Sequence, residues 1–109
     1  MTVEQYVGIQ SAFANVSTLG DNTIVAAQTG KKIRVLSYAL SNQAGTANNV
    51  KFRSAANDKT SLKVLQANAT ISYPGTVDGW AFETNRGESL VLNLSAATAV
   101  GCDVVFQLV

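Results

Sequence analysis

Apolar and polar residues alternate in short runs along most of this chain, and clusters of Gly, Asn, Asp, Ser and Thr separate the runs. The clearest ladder lies in residues 79–95. Trp80, Phe82 and Thr84 fall on one side of an extended segment, with Ala81 and Glu83 on the other. After the tip Thr84-Asn85-Arg86-Gly87, Leu90, Leu92 and Leu94 alternate with Ser89, Val91, Asn93 and Ser95. A period of two is that of a strand with one buried face. The segment is therefore predicted to form a β-hairpin with Gly87 in the left-handed conformation.

A second long alternation covers residues 32–42. Ile33, Val35, Ser37 and Ala39 lie on one side, and Arg34, Leu36, Tyr38 and Leu40 on the other. Both sides are largely apolar, which predicts a central strand whose second face is covered by another chain. Further strands are expected at 23–27, 50–54, 69–73 and 101–109. In 61–66, Leu62 and Leu65 have helical spacing and Leu62 and Val64 strand spacing. The segment is too short for an independent helix, so it reads as a strand. In 1–20, Val3, Tyr6, Val7 and Phe13 could share a helix face, but Gly8 weakens it. An extended arm with a strand near residues 6–10 is the better reading. About eight strands at spacings of roughly 8–12 residues, with no helix longer than a turn, define an all-β protein. The expected architecture is a jelly-roll-like antiparallel β-sandwich. Residues 1–22 would be the N-terminal arm and first strand, and residues 23–109 the sandwich domain.

Composition removes most chemistry. The chain has 109 residues and a net charge of +1, with its eight basic residues scattered. That offers no electrostatic reason to bind nucleic acid or an anionic membrane. No apolar run approaches the ~20 residues that span a bilayer. The start Met1-Thr2-Val3-Glu4 lacks a signal pattern, so synthesis and folding in a cytoplasm are expected. There is no His, which excludes Ser-His-Asp and Cys-His catalysis and the usual zinc ligand. Cys102, the single cysteine, shares parity with Val104, Phe106 and Leu108 and reads as a buried hydrophobe.

Three carboxylates remain as an enzymatic route: Asp78, Glu83 and Glu88. Glu83 and Glu88 have solvent-facing parity on facing arms of the predicted hairpin, so they read as solvated charges. Asp21, Asp58 and Asp78 suit turns, and one carboxylate per loop is a poor calcium supply. Trp80, Tyr73 and Tyr38 could stack on a sugar, but such aromatics more often serve a core or an interface. No catalytic residue, metal site or cofactor is predicted, and the protein reads as a non-enzyme.

Taken together, Ile24-Val25-Ala26-Ala27, Gly30-Lys31-Lys32-Ile33-Arg34-Val35-Leu36, Gly79-Trp80-Ala81-Phe82-Glu83-Thr84 and Gly87-Glu88-Ser89-Leu90-Val91-Leu92-Asn93-Leu94-Ser95-Ala96-Ala97 resemble small virion proteins of tailed bacteriophages. The likeness is greatest to head decoration (cement) proteins of jelly-roll fold, over roughly residues 23–109. The resemblance implies a homotrimer on the outside of the capsid, made in the host bacterial cytoplasm, that binds the major capsid protein and stabilises the head. The two-sided strand suggests Leu36, Tyr38 and Leu40 as the trimer contact. The arm, with Tyr6, Ile9 and Phe13 as partner contacts, is expected to order on the capsid. The alternative is a phage tail fibre or receptor-binding module that recognises a host-surface glycan near loops 43–49 and 73–79. A carbohydrate-active enzyme is the third reading, and it requires two carboxylates about 5–10 Å apart across a groove.

Overall fold

The computed structural model describes residues 8–75 and 79–109. Tyr6 and Asp78 lie outside them. Ten strands follow in chain order: β1 Ile9–Val16, β2 Gly20–Val25, β3 Ile33–Asn42, β4 Asn48–Ser54, β5 Asn57–Asp58, β6 Lys63–Leu65, β7 Thr70–Tyr73, β8 Phe82–Glu83, β9 Leu90–Leu94 and β10 Val100–Leu108. One sheet has the order β1-β10-β3-β7, with β8 also on β3. The other has β2-β9-β4-β5, with β6 also on β4. The short pairs β5/β6 and β7/β8 each fill one strand position, so eight positions are occupied. Every described pairing is antiparallel. The chain changes sheet at every step except among β4, β5 and β6 and between β7 and β8, which is the jelly-roll order.

The core fills the space between the sheets. Val35, Leu40, Val100, Val104 and Phe106 come from the first sheet, and Val50, Phe52, Leu90, Leu92 and Leu94 from the second. An aromatic group lies at its centre. The Tyr38 ring meets Phe52 edge-on at 5.0 Å and stacks on Tyr73 at 5.9 Å, and Phe52 packs on Phe82 at 5.1 Å.

Three expectations are corrected. First, residues 79–95 are not a hairpin. β8 pairs with β3, whereas β9 pairs with β2 and β4 in the opposite sheet. The tip does turn, with Glu88 N donating to Asn85 O and Gly87 at φ +78°. A positive φ at the third turn residue fits type II, which does not match the twist of a two-residue hairpin. Phe82 and Thr84 face the core as Leu90, Leu92 and Leu94 do, and the two sets meet across it instead of side by side, while Trp80 stays half exposed.

Second, β3 does not keep one parity. Its register with β10 shifts where Val105 faces Ser37 and Phe106 faces Val35, which leaves Leu36 as the extra residue of a bulge. Ile33 and Val35 point inward before the bulge, and Leu40 and Asn42 after it. The chain beside the bulge is also constrained. Gly75 sits at φ +82°, and a Cβ there would lie 2.8 Å from Leu36 O.

Third, the strand in the N-terminal region runs over Ile9–Val16 and pairs with β10 along its whole length. β2 begins at Gly20, three residues before the strand expected at 23–27, so the 22/23 boundary falls inside a strand. The segment 61–66 does contribute a strand, Lys63–Leu65.

Candidate functional site

The two outer faces of the sandwich differ in chemistry. Residues directly opposite one another on antiparallel strands share a face. On the first sheet the outward rows are Asn15-Gly101-Ser41-Thr70, Phe13-Asp103-Ala39-Ser72, Ser11-Val105-Ser37 and Ile9-Gln107-Arg34-Glu83. Small side chains dominate, so the surface is nearly flat. Phe13 rises from it at 81% exposure, and Ile9, further along the same face of β1, is 40% exposed. Among the described residues of these rows, only Asp103, Arg34 and Glu83 ionise. Arg34 and Glu83 neutralise each other, with Arg34 Nε donating to Glu83 Oε2 at 2.5 Å. The Arg34 guanidinium also stands 5.0 Å over the Trp80 ring, a cation–π contact.

The outer face of the second sheet is latticed with charge. Arg53 donates to both Asp21 oxygens at 3.1 and 3.0 Å, and to Asp58 at 2.9 Å. Lys51 donates to Asp58 at 3.0 Å, and Asn93 donates to Asp21 at 2.7 Å. Arg53 also donates to the Ala56 carbonyl. Such a lattice keeps a face hydrated and makes it costly to strip of water. The lattice covers the part of this sheet formed by β2, β9, β4 and β5, whereas Leu62 and Val64 are exposed at its β6 end; the first sheet presents the most exposed large apolar side chain among the described residues, Phe13.

The structure places the sequence-predicted contact residues in different environments. Ile9 and Phe13 stand on the outer face of β1. Leu36 sits at the bulge, half-buried. Leu40 is 0% exposed and Tyr38 packs on Phe52 and Phe82, so in this fold neither offers a free side chain to another chain. The inward turn of these two residues follows from the bulge. Sequence reasoning missed Val105, Ala39, Ser37 and Ser72 as part of the face. Their signal was present as the outward parity of β10 and of the second half of β3.

Two of the three enzymatic candidates, Glu83 and Glu88, are occupied by structural bonds, and Asp78 lies outside the described residues. Glu83 is held by Arg34, with Lys32 Nζ at 3.9 Å. It is thus a partly buried ion pair and not a solvated hairpin charge. Glu88 Oε1 accepts from Ser54 Oγ at 2.6 Å and from Asn85 Nδ2 at 3.0 Å. Tyr38 belongs to the core aromatics, and Trp80 is half exposed under Arg34. Among the described residues, no three of His, Cys, Asp and Glu gather as metal ligands.

Three carboxylates have their charged forms favoured by the fold. The Asn93 amide, followed by Arg53, lowers Asp21. The Lys51 ammonium, with Arg53, lowers Asp58. The Ser54 hydroxyl, followed by Asn85, lowers Glu88. A lowered folded-state pKa adds stability that is complete above the ordinary carboxylate values, 3.8 for Asp and 4.5 for Glu, and is lost as pH falls through the folded values. Urea midpoints are therefore expected to be level down to about pH 5 and to fall below it. A Glu88→Gln variant, measured over the same series, should show a shallower acid limb.

No family model matches the chain, and no curated protein matches it. Solved structures similar to it include the following two. A chain from a study of Bacillus endospore appendages, described as a family of disulfide-linked pili, aligns over 91% of this chain and 85% of its own, with 16% identity and a TM-score of 0.55. The crystal structure of PirA aligns over 89% of this chain and 93% of its own, with 13% identity and a TM-score of 0.47. The first likeness shows a shared β-sandwich fold.

Proposed function

We propose that this protein is a non-enzymatic structural protein of a bacteriophage virion, a capsid decoration protein that attaches to the outside of the head and stabilises it. The attachment surface is the outer face of β1, β10 and β3. The observation that carries the reading is Phe13, fully presented on a flat and nearly uncharged face, opposite a face of water-loving ion pairs. Support also comes from the resemblance of residues 23–109 to head decoration proteins and from a stiff jelly-roll scaffold that such a role needs. The neighbour from endospore appendages is described as forming disulfide-linked pili. Cys102 is 1% exposed, and burial pushes its thiol up to about 12. A disulfide between folded copies is thus closed to this chain, and any assembly it makes uses non-covalent contacts.

The test is binding of the purified protein to phage heads that lack it, with intact host cells as a parallel target. Saturable binding to heads, at a fixed copy number and with gained heat resistance, is expected. Burying a large apolar side chain is worth about 1.5–3 kcal/mol, so Phe13→Ser should weaken head binding by roughly 10- to 100-fold. Its melting temperature should stay close to that of the parent. Binding to cells and not to heads would move the protein to the tail, and would make Trp80 the residue to replace next.

A further inference from the structure

A sheet edge is a row of free backbone N–H and C=O groups, and folded proteins normally blunt it. The described edges of this sandwich follow that rule with one exception. β5, β6, β7 and β8 have two, three, four and two residues. β6 also carries Lys63. β2 carries Asp21 and is interrupted by a register shift between Thr23 and Val25. β1 has none of these protections. It runs for eight residues, Ile-Gln-Ser-Ala-Phe-Ala-Asn-Val, without a charge or a proline. Its register with β10 is unbroken from Ile9 opposite Gln107 to Val16 opposite Val100. Among the described residues, no strand pairs with its other side.

We propose that the free edge of β1 is an interface for a second copy of this chain, β1 pairing antiparallel with β1 about a twofold axis perpendicular to the sheet. The occupant follows from the edge itself. A long, flat, uncharged edge is satisfied by an extended strand with the same properties, and β1 is such a strand. No like charges meet across the seam, because the strand has none. An axis normal to the sheet keeps both outer faces on one side, so residues of like parity must oppose each other. Centring on Ala12 sets Phe13 opposite Ser11 of the second copy, where the small side chain leaves room for the ring. It also sets Ile9 opposite Asn15 and Gln10 opposite Ala14. The result is one continuous sheet through both copies, with two Phe13 rings on a single doubled face. The contact is isologous and closes at two copies, unlike the threefold arrangement that the resemblance implies.

This inference rests on the edge and not on the head-binding reading, so either one can fail alone. Sedimentation equilibrium at micromolar concentrations should give a mass twice the 11.4 kDa of one chain. Replacing two exposed residues together, Ser11→Lys with Phe13→Lys, puts four positive charges at the seam. It should return the mass to one chain with the circular dichroism spectrum unchanged. A single A12C variant should cross-link between copies under mild oxidation, since facing Cα atoms in an antiparallel pair lie within disulfide reach. A wild-type mass of one or three chains would overturn the proposal. So would a dimer that survives the double lysine variant, or one in which A12C fails to cross-link.

Discussion

Phe52→Ala is expected to cost about 3–5 kcal/mol of unfolding free energy, the usual range for deleting a fully buried aromatic ring. That is a large share of the ~5–15 kcal/mol that stabilises a domain. Phe52 is fully buried, projects inward from β4 between the two sheets and touches both Tyr38 and Phe82. Its removal opens a cavity and takes one partner from each neighbouring ring. The rigid β-sandwich has little freedom to collapse around the gap. Phe52→Leu keeps most of the volume and should cost clearly less. Urea denaturation of the three proteins measures this. A loss under about 1 kcal/mol for the alanine variant would mean that the aromatic group is not the centre of the core.

The second large effect is expected at Asn48, which is polar and almost completely buried. Its amide nitrogen donates to Ala96 O at 3.1 Å and Thr98 Oγ1 at 3.0 Å. Its oxygen accepts from the backbone N–H groups of Ser95 and Ala96, both at 3.1 Å. One side chain thus organises the turn between β9 and β10. Truncation leaves several of these groups without a partner, and each buried unsatisfied group costs ~1–3 kcal/mol. Asn48→Ala should therefore lose about 3 kcal/mol or more, and amide exchange should accelerate first at Ala96, since Ser95 N keeps Asn49 O as an acceptor at 3.0 Å. Asn42 has the same role at the other loop of this end. It donates to Thr46, Leu65 and Gln66 carbonyls and accepts from Ala44 N. Normal exchange protection of the 95–98 turn in Asn48→Ala would show that the turn is held by other means.

Period-two patterning exposed most of the strands and the inward residues of β4, β9 and β10, because alternation reports which face is buried. It does not report which strand is the neighbour. For that reason Phe82 and Leu90, both correctly read as inward, were joined into one hairpin when they belong to opposite sheets. Alternation also assumes an unbroken register, and the bulge at Leu36 defeats it. Tyr38 and Leu40 then appear on the wrong face, and a buried pair looks like an interface. Asn42 and Asn48 were invisible for a third reason. In sequence Asn42 ends an alternating run and Asn48 sits among loop residues, and only the folded loops show that their amides replace missing backbone partners. The candidate face was half legible. Ile9 and Phe13 stood out as apolar residues in a thinly patterned segment, whereas Val105, Ala39 and Ser72 became a surface only once β10, β3 and β7 lay side by side.

Hydroxyl-radical footprinting of the protein, free and bound to phage heads, tests the attachment face most directly. Oxidation of Phe13 and Ile9 should be suppressed on the heads, while Val64 on β6 of the other sheet and Leu62 just before that strand, both exposed, should be oxidised as in the free protein. Unchanged oxidation of Phe13 on saturated heads, with protection appearing instead at Leu62 and Val64, would contradict the account and place the contact on the opposite sheet.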